Sequence, residues 1–384
     1  MKLGMIIYYR KNILREGDYM LTKDDKILIY PFSYKAFSIV KLLVENKFNI
    51  IVATEDGTGL IGKDIAFSVN RKKSDVSVLK YSDELLEEVD LLFIPEGYIG
   101  DPINEGTKDV LQKAIKTNKR IISSLKLDEE NKHLLEYSKY IDLLTTKNLK
   151  IDSYLTRIKE NRLSFFIPNI PVIYVGGVFD IVDNNYITIS LKQKFKENGY
   201  RACCIMADNS GKLFDCLTFP KNFINNGLSI EDRIMELNNY IRACVELIKP
   251  HVIIIQIPFG MIRYNKYFEN SFGSYAFMIS QAIKSDYFIC ASTPELIDSR
   301  YFKELSSIFD RQFNSAIDAL HISNCELDIP MINRASKVEV IFSNESKIND
   351  IIGNLNKDLN FKVFNVFMEK DLENLFQDII EQLG

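Results

Sequence analysis

Residues 171–206, PVIYVGGVFDIVDNNYITISLKQKFKENGYRACCIM, constrain the fold of this chain more than any other stretch. The apolar run 172–175 suits a buried strand, and Gly176-Gly177 ends it. Ile187, Leu191 and Phe195 recur every four residues, which places them on one face of a helix. Gly199 follows where a left-handed cap would close that helix. A second apolar run, 202–206, completes a βαβ unit and so calls for a parallel sheet. A phosphate-binding loop of this topology needs Gly-Lys-Ser/Thr at the loop-to-helix junction. There, backbone N–H groups and an ammonium surround the phosphates, and a hydroxyl holds magnesium. Here the junction reads Val182-Asp183-Asn184-Asn185, and Asp180 and Asp183 would repel a nucleotide. The framework of a P-loop unit is present without its chemistry.

A chain of 384 residues suits two domains, each able to bury a core. A net charge of −4 gives no reason to expect nucleic acid or an anionic membrane surface, so the expected partners are peptides, proteins or small molecules. No stretch reaches the roughly 18–20 uninterrupted apolar residues of a spanning helix. The apolar start of the chain is broken by Arg10, Lys11 and Arg15, and the expected location is the cytoplasm. All six cysteines lie in the second half without a C-x-x-C pair, and the three histidines have no metal-ligand spacing. Free thiols, no metal and no cofactor are therefore expected. Cys203, Cys204 and Cys290 fall in apolar runs, where cysteine behaves as a small buried hydrophobe.

Residues 1–24 read as an N-terminal extension. A strand at 26–30, a cap at Ser33, a helix burying Ala36, Ile39, Val40, Leu43 and Val44, and a strand at 48–54 then open a Rossmann-like domain over 25–150. The loop after the second strand contains Gly57, Gly59 and Gly62 in a formal G-x-G-x-x-G. A dinucleotide fingerprint should follow the first strand and open directly into a helix, which this one does not. Two other readings stand beside it: a turn whose glycines supply positive φ, or a ligand- or partner-facing loop with Lys63 and Asp64 as its polar residues. Further strands are expected at 76–79, 91–94 and 120–125, with helices at 83–88 and 107–117. Glu96 and Tyr98 stand after the strand at 91–94, at the carboxyl edge where open α/β sheets bind ligands, although an acidic loop residue is more often simply solvated. Residues 128–166 read as charged and helical without a strong strand, and 151–170 as a linker.

The second domain is expected over 171–384. After the βαβ unit, 208–226 reads as a long loop. Ser229 with Asp232 signals a helix start, and Ile234, Leu237, Ile241 and Cys244 carry that helix to Pro250. The most apolar strand follows at 251–257. In P-loop proteins the corresponding strand ends in an acidic residue for magnesium; this one offers Gln256. The nucleotide chemistry thus fails at a second, independent point. Residues 261–272 read as loop, 275–283 as helix, 286–292 as strand, 294–309 as helix, and 315–322 and 337–342 as strands. A closing amphipathic helix at 370–383 turns Leu372, Leu375, Phe376, Ile379, Ile380 and Leu383 inward. No Ser-His-Asp or Cys-His constellation can be assembled from the sequence. The fold class is α/β in two domains: a Rossmann-like parallel sheet, then a degenerate P-loop NTPase-like parallel sheet.

Four stretches carry a resemblance over nearly the whole chain from residue 26: IYPF at 29–32, DGTGLIGKD at 56–64, VIYVGG with LKQKFKENGY between 172 and 200, and AFMISQAIKSDYFICAS at 276–292. Together they resemble the peptide maturation system proteins of bacterial natural-product clusters, which are similar to a broader family with a Rossmann-like N-terminal and a P-loop-like C-terminal domain. The resemblance implies an accessory protein of ribosomal-peptide maturation that binds a precursor peptide, a modifying enzyme such as a radical-SAM enzyme, or both, without NTP hydrolysis. A homodimer is among the states it allows. The alternative it implies is a small-molecule N-acyltransferase or nucleotide-dependent enzyme using the cleft between the domains. Relatives carry Gly-Lys where this chain has Asp183-Asn184, or Val182-Asp183 under strict P-loop spacing, and tryptophan where it has Thr58. The loop at 57–64 is otherwise intact, which makes it the first candidate for a site still in use.

Overall fold

A computed structural model describes residues 21–384 apart from 72, 96–104, 126–140, 144–150, 152, 157–163, 181–182, 225–226, 264–269, 297, 329, 331–333, 335–339 and 369. Two parallel sheets organise the chain. The first holds β1 (Lys26–Ile29), β2 (Asn49–Thr54), β3 (Val78–Lys80), β4 (Leu91–Ile94), β5 (Arg120–Ser123) and β6 (Ile141–Leu143) in the order β3-β2-β1-β4-β5-β6. That is the strand order of a Rossmann sheet. Its central strands are continuous apolar runs because helices cover both faces: Ile27 and Ile29 enter one core, Leu28 the other. Helices α1 (Phe37–Glu45), α2 (Asp83–Glu87) and α3 (Glu105–Lys116) make the crossovers.

The second sheet holds β7 (Val172–Gly177), β8 (Ala202–Met206), β9 (Leu217–Thr218), β10 (Val252–Gly260), β11 (Tyr287–Ser292), β12 (Ala319–Ile322) and β15 (Lys362–Phe364), all parallel, in the order β15-β12-β11-β7-β10-β8-β9. Helix α4 (Asn184–Glu197) returns the chain from β7, burying Ile187, Leu191 and Phe195 as their spacing requires, and Gly199 sits at φ +81° just beyond its end. Helix α5 (Ile230–Ile248) starts where the Ser229 hydroxyl accepts the Asp232 N–H at 3.1 Å. Helices α6 (Ser274–Ala282), α7 (Ser299–Phe313), α8 (Glu345–Asp358) and α9 (Asp371–Leu383) complete the layers, and β13 (Cys325–Leu327) pairs antiparallel with β14 (Val340–Phe342).

One apolar cluster runs from the first sheet through α1, α4 and α9 to a face of the second sheet. It takes in Ile29, Phe37 and Val40 on one side and Ile187, Val175, Ile254 and Phe376 on the other. The two sheets therefore share a core. The contact is also polar: the Tyr186 hydroxyl donates to Glu45 Oε1 at 2.8 Å, and the Asn70 side-chain amide donates to the Phe342 carbonyl at 3.1 Å.

Several elements depart from the sequence-based expectation. Strand β6 lies inside the stretch expected to lack one, and 208–226 is no plain loop. It holds a 3-10 turn at Asn209–Phe214, β9, and a helical turn at Lys221–Ile224. The helix expected over 294–309 is α7, five residues later at its start, because Asp298 rather than Pro294 caps it by accepting the Arg300 N–H at 2.9 Å. The strand expected from 315 begins at Ala319. Expectations for most of residues 1–24 and for parts of 128–166 and 261–272 lie outside the described residues. All six cysteines are buried and free. Among the described residues no helix is long and apolar enough to cross a membrane.

Candidate functional site at the degenerate phosphate-binding loop

The loop between β7 and α4 sits at the carboxyl edge of the second sheet, beside the end of β10, where a P-loop protein would hold nucleotide. Gly176 is needed for packing here. A Cβ on it would meet the Met261 sulfur at 2.7 Å and Ile257 Cδ1 at 3.2 Å, so it lets β7 lie against the end of β10. Gly177 closes β7 in register with Gly260. Asp180 is exposed at the rim.

Asp183 occupies the N-cap position of α4, yet its side chain caps nothing. Its Oδ2 instead accepts the Ser323 hydroxyl at 2.8 Å and His321 Nε2 at 3.0 Å, with Arg71 Nη2 at 3.6 Å. Arg71 comes from the first domain. Its side chain is only 6% exposed, Nη1 donates to Asn365 Oδ1 at 3.2 Å, and its guanidinium carbon lies 3.7 Å from the centre of the Phe367 ring. Asn365 in turn donates to Asn324 Oδ1 and the Ile322 carbonyl. This single buried network ties the first domain to the false P-loop and to the edge of β12.

The network also fixes the histidine. His321 Nδ1 accepts the Val366 N–H at 3.2 Å, so Nε2 carries the proton and donates it to Asp183. Both ring nitrogens are engaged by the protein, which leaves neither for a substrate proton. Burial holds His321 below its ordinary range against the opposing pull of Asp183, so it is neutral at pH 7. For Asp183 burial acts upward, but the His321, Arg71 and Ser323 contacts outweigh it and hold the carboxyl low. Burial brings the Arg71 guanidinium down to about 10 against the pull of Asp183, which leaves it cationic at neutral pH. The sequence shows no basic residue within the loop to balance its acids; the fold brings one from the other domain to Asp183.

A second chain of contacts runs from the end of β10 to the start of α4 and on to the turn after β8. The Gln256 side-chain nitrogen donates to Asn185 Oδ1, the Asn185 side-chain nitrogen donates to Asp208 Oδ2, and Asp208 Oδ1 accepts the Ser210 N–H at 2.7 Å. In a P-loop enzyme a hydroxyl at the helix start and an acid at the end of this strand would share the metal. Here the strand ends in Gln256, which hydrogen-bonds Asn185 in the first turn of α4. Asn184 is buried beside them.

The other candidates lie elsewhere. Gly57, Gly59 and Gly62 have φ of +89°, +69° and +77° in an exposed turn, and a Cβ on any of them would meet nothing within 4 Å. Their loop opens onto the 3-10 turn Ile65–Val69, not an α-helix. Lys63 Nζ lies 3.8 Å from the centre of the Phe67 ring. Asp64 accepts the N–H groups of Ala66 and Ser74 and the Ser74 hydroxyl; these bonds hold its carboxyl low although burial acts the other way. Lys63 and Asp64 thus have structural contacts of their own, and the carbonyl of Ala66, whose N–H Asp64 accepts, takes the Arg71 N–H at 3.0 Å. Glu96 and Tyr98 lie outside the described residues. Arg71, His321, Ser323, Asn365 and Phe367 were not legible as members of a site. The one available signal was an acid in the lysine position, which calls for a cation from somewhere.

Comparison with known proteins gives a match at the level of fold. No family model and no curated protein matches the chain. Among solved structures it is similar to a DUF1611 family protein from Anabaena variabilis, at 11% identity and a TM-score of 0.58, covering 94% of this chain and 100% of that one. It is also similar to an LAO/AO transport system kinase (11% identity, TM-score 0.32, covering 73% of this chain and 76% of that one). A further similarity is to chloroplast FtsY from Physcomitrella patens (12% identity, TM-score 0.31, covering 78% and 86%).

Proposed function

We propose that this protein binds and presents without hydrolysing nucleotide, as an accessory protein in the maturation of a ribosomally made natural-product peptide. It holds the precursor peptide, the modifying enzyme, or both. The observation that carries the first half of this reading is the contact of Asp183 with Arg71, His321 and Ser323, which commits the nucleotide position to holding the two domains together. The peptide half is supported by the four stretches that resemble peptide maturation proteins, and by surface aromatics beside them. Phe272 is 59% and Phe277 45% exposed, next to Tyr275. Phe272 also holds φ +54°, an uncommon backbone for an aromatic residue, of the kind that clusters at binding surfaces. Aromatic side chains of this sort supply contact area at low entropic cost.

Calorimetric titration with the short peptide encoded nearest the gene tests the reading. Saturable heat from the peptide is expected. No heat from the peptide, together with saturable heat from acetyl-CoA, would replace this reading with the transferase alternative.

A further inference from the structure

We infer that the start of α4 binds a primary ammonium group, through the amide oxygens of Gln256, Asn184 and Asn209. This deepens the peptide-binding reading and rests on it, since a peptide carries such a group at its amino terminus and on lysine. The carboxylate of Asp208 only accepts hydrogen bonds. Its Oδ1 takes the Ser210 N–H and its Oδ2 takes the Asn185 side-chain N–H. Asn185 must therefore turn its oxygen to Gln256, which must meet it with Nε2. Gln256 Oε1 is left buried without a donor. Turning either amide over would set oxygen against oxygen, so the bare acceptor is fixed by the carboxylate at the far end of the chain.

Two more bare acceptors belong to residues next in sequence to members of the same chain. Asn184 Oδ1 stands one residue from Asn185, and Asn209 Oδ1 one residue from Asp208, while the Asn209 side-chain nitrogen donates across to the Ser124 carbonyl of the first domain at 3.3 Å. The three residues are 7%, 3% and 4% exposed for Gln256, Asn184 and Asn209. A buried acceptor left without a donor is costly, so the group that suits this place brings donors and no acceptor. An ammonium has three N–H donors and nothing else. The charge agrees. The start of a helix carries roughly half a positive charge. The Asp208 carboxylate outweighs it, with Asp183 already facing Arg71. A magnesium ion fits poorly, since it favours carboxylate and water ligands and both oxygens of Asp208 already accept hydrogen bonds.

Ligand-observed NMR on the full chain tests this with three probes: glycinamide for an α-ammonium, Nα-acetyl-lysinamide for a side-chain ammonium, and N-acetylglycinamide as the neutral control. At least one ammonium probe is expected to bind ten or more times tighter than the control, and which one does so identifies its source. Gln256→Met, which keeps the length and removes the acceptor, is expected to abolish that tenfold preference. A readout independent of folding comes from wild type: affinity for glycinamide falls as pH rises through about 8, where an α-amino group loses its proton. Equal binding of the control, binding of none of the three, or displacement of the probes by magnesium chloride alone would overturn the inference. Binding of glycinamide with no binding of the precursor peptide would leave this site standing and remove the peptide reading.

Discussion

Asp183 joins the two domains at the loop between β7 and α4. An acid in the position of the P-loop lysine looks like simple loss, but its contacts show a new use: it is the point where Arg71, His321 and Ser323 meet. Arg71→Met would leave the carboxylate with less compensation. A cost of about 2–4 kcal/mol in urea denaturation is expected, below the full value for a buried pair because Asp183 retains 17% exposure. In a double-mutant cycle, Asp183→Asn should then cost less in the Arg71→Met background than alone. His321 adds a pH dependence whose sign follows from its depressed pKa. Below an ordinary histidine value of about 6.5 the unfolded chain takes up a proton that the folded chain refuses, so stability falls as pH drops from 7 to 5. The slope approaches about 1.4 kcal/mol per pH unit for this one group and should be reduced in His321→Asn, as measured by denaturation across that range. Asp183 and Gln256 were legible in the sequence as departures from a known pattern. Arg71 and His321 were not, because only the folded chain brings them to the loop.

At the scale of elements, the loop and α4 no longer form an independent phosphate-binding unit. Asp183→Lys, the change that strict P-loop spacing asks for, would set an ammonium against the Arg71 guanidinium. It is expected to cost about 3–5 kcal/mol and to give no ATP–magnesium-dependent rise in Tm; a gain of nucleotide-dependent stabilisation would contradict this. Elements with long periodicity were readable: α4 from Ile187, Leu191 and Phe195, α5 from its Ser229 cap, and α9 from its leucine and isoleucine stripe. Strands such as β6, β9 and β15, of two or three residues, were missed or left undefined, since so few residues show no alternation and their pairing is set by neighbours. The segment after β8 read as loop because its turns are local and polar. Asp208 accepts the Ser210 N–H there, and that same acid turns out to direct the Asn185–Gln256 pair.

At the scale of the whole molecule, the apolar cluster through α1, α4 and α9 joins the sheets, and the Arg71 network spans the same boundary. The two halves should therefore unfold together. Scanning calorimetry is expected to show one transition with calorimetric and van't Hoff enthalpies in agreement, and two resolved transitions would count against the shared core. Sequence periodicity identified two α/β halves, but the surface they share is built from residues far apart in the chain, such as Phe37 with Phe367 and Tyr186 with Glu45. In this reading the protein's own side chains hold the nucleotide position. Isothermal titration of ATP–magnesium into the wild-type protein tests it most directly. No saturable heat is expected; saturable ATP binding that Asp183→Asn or Gln256→Met alters would mean that the loop still takes nucleotide.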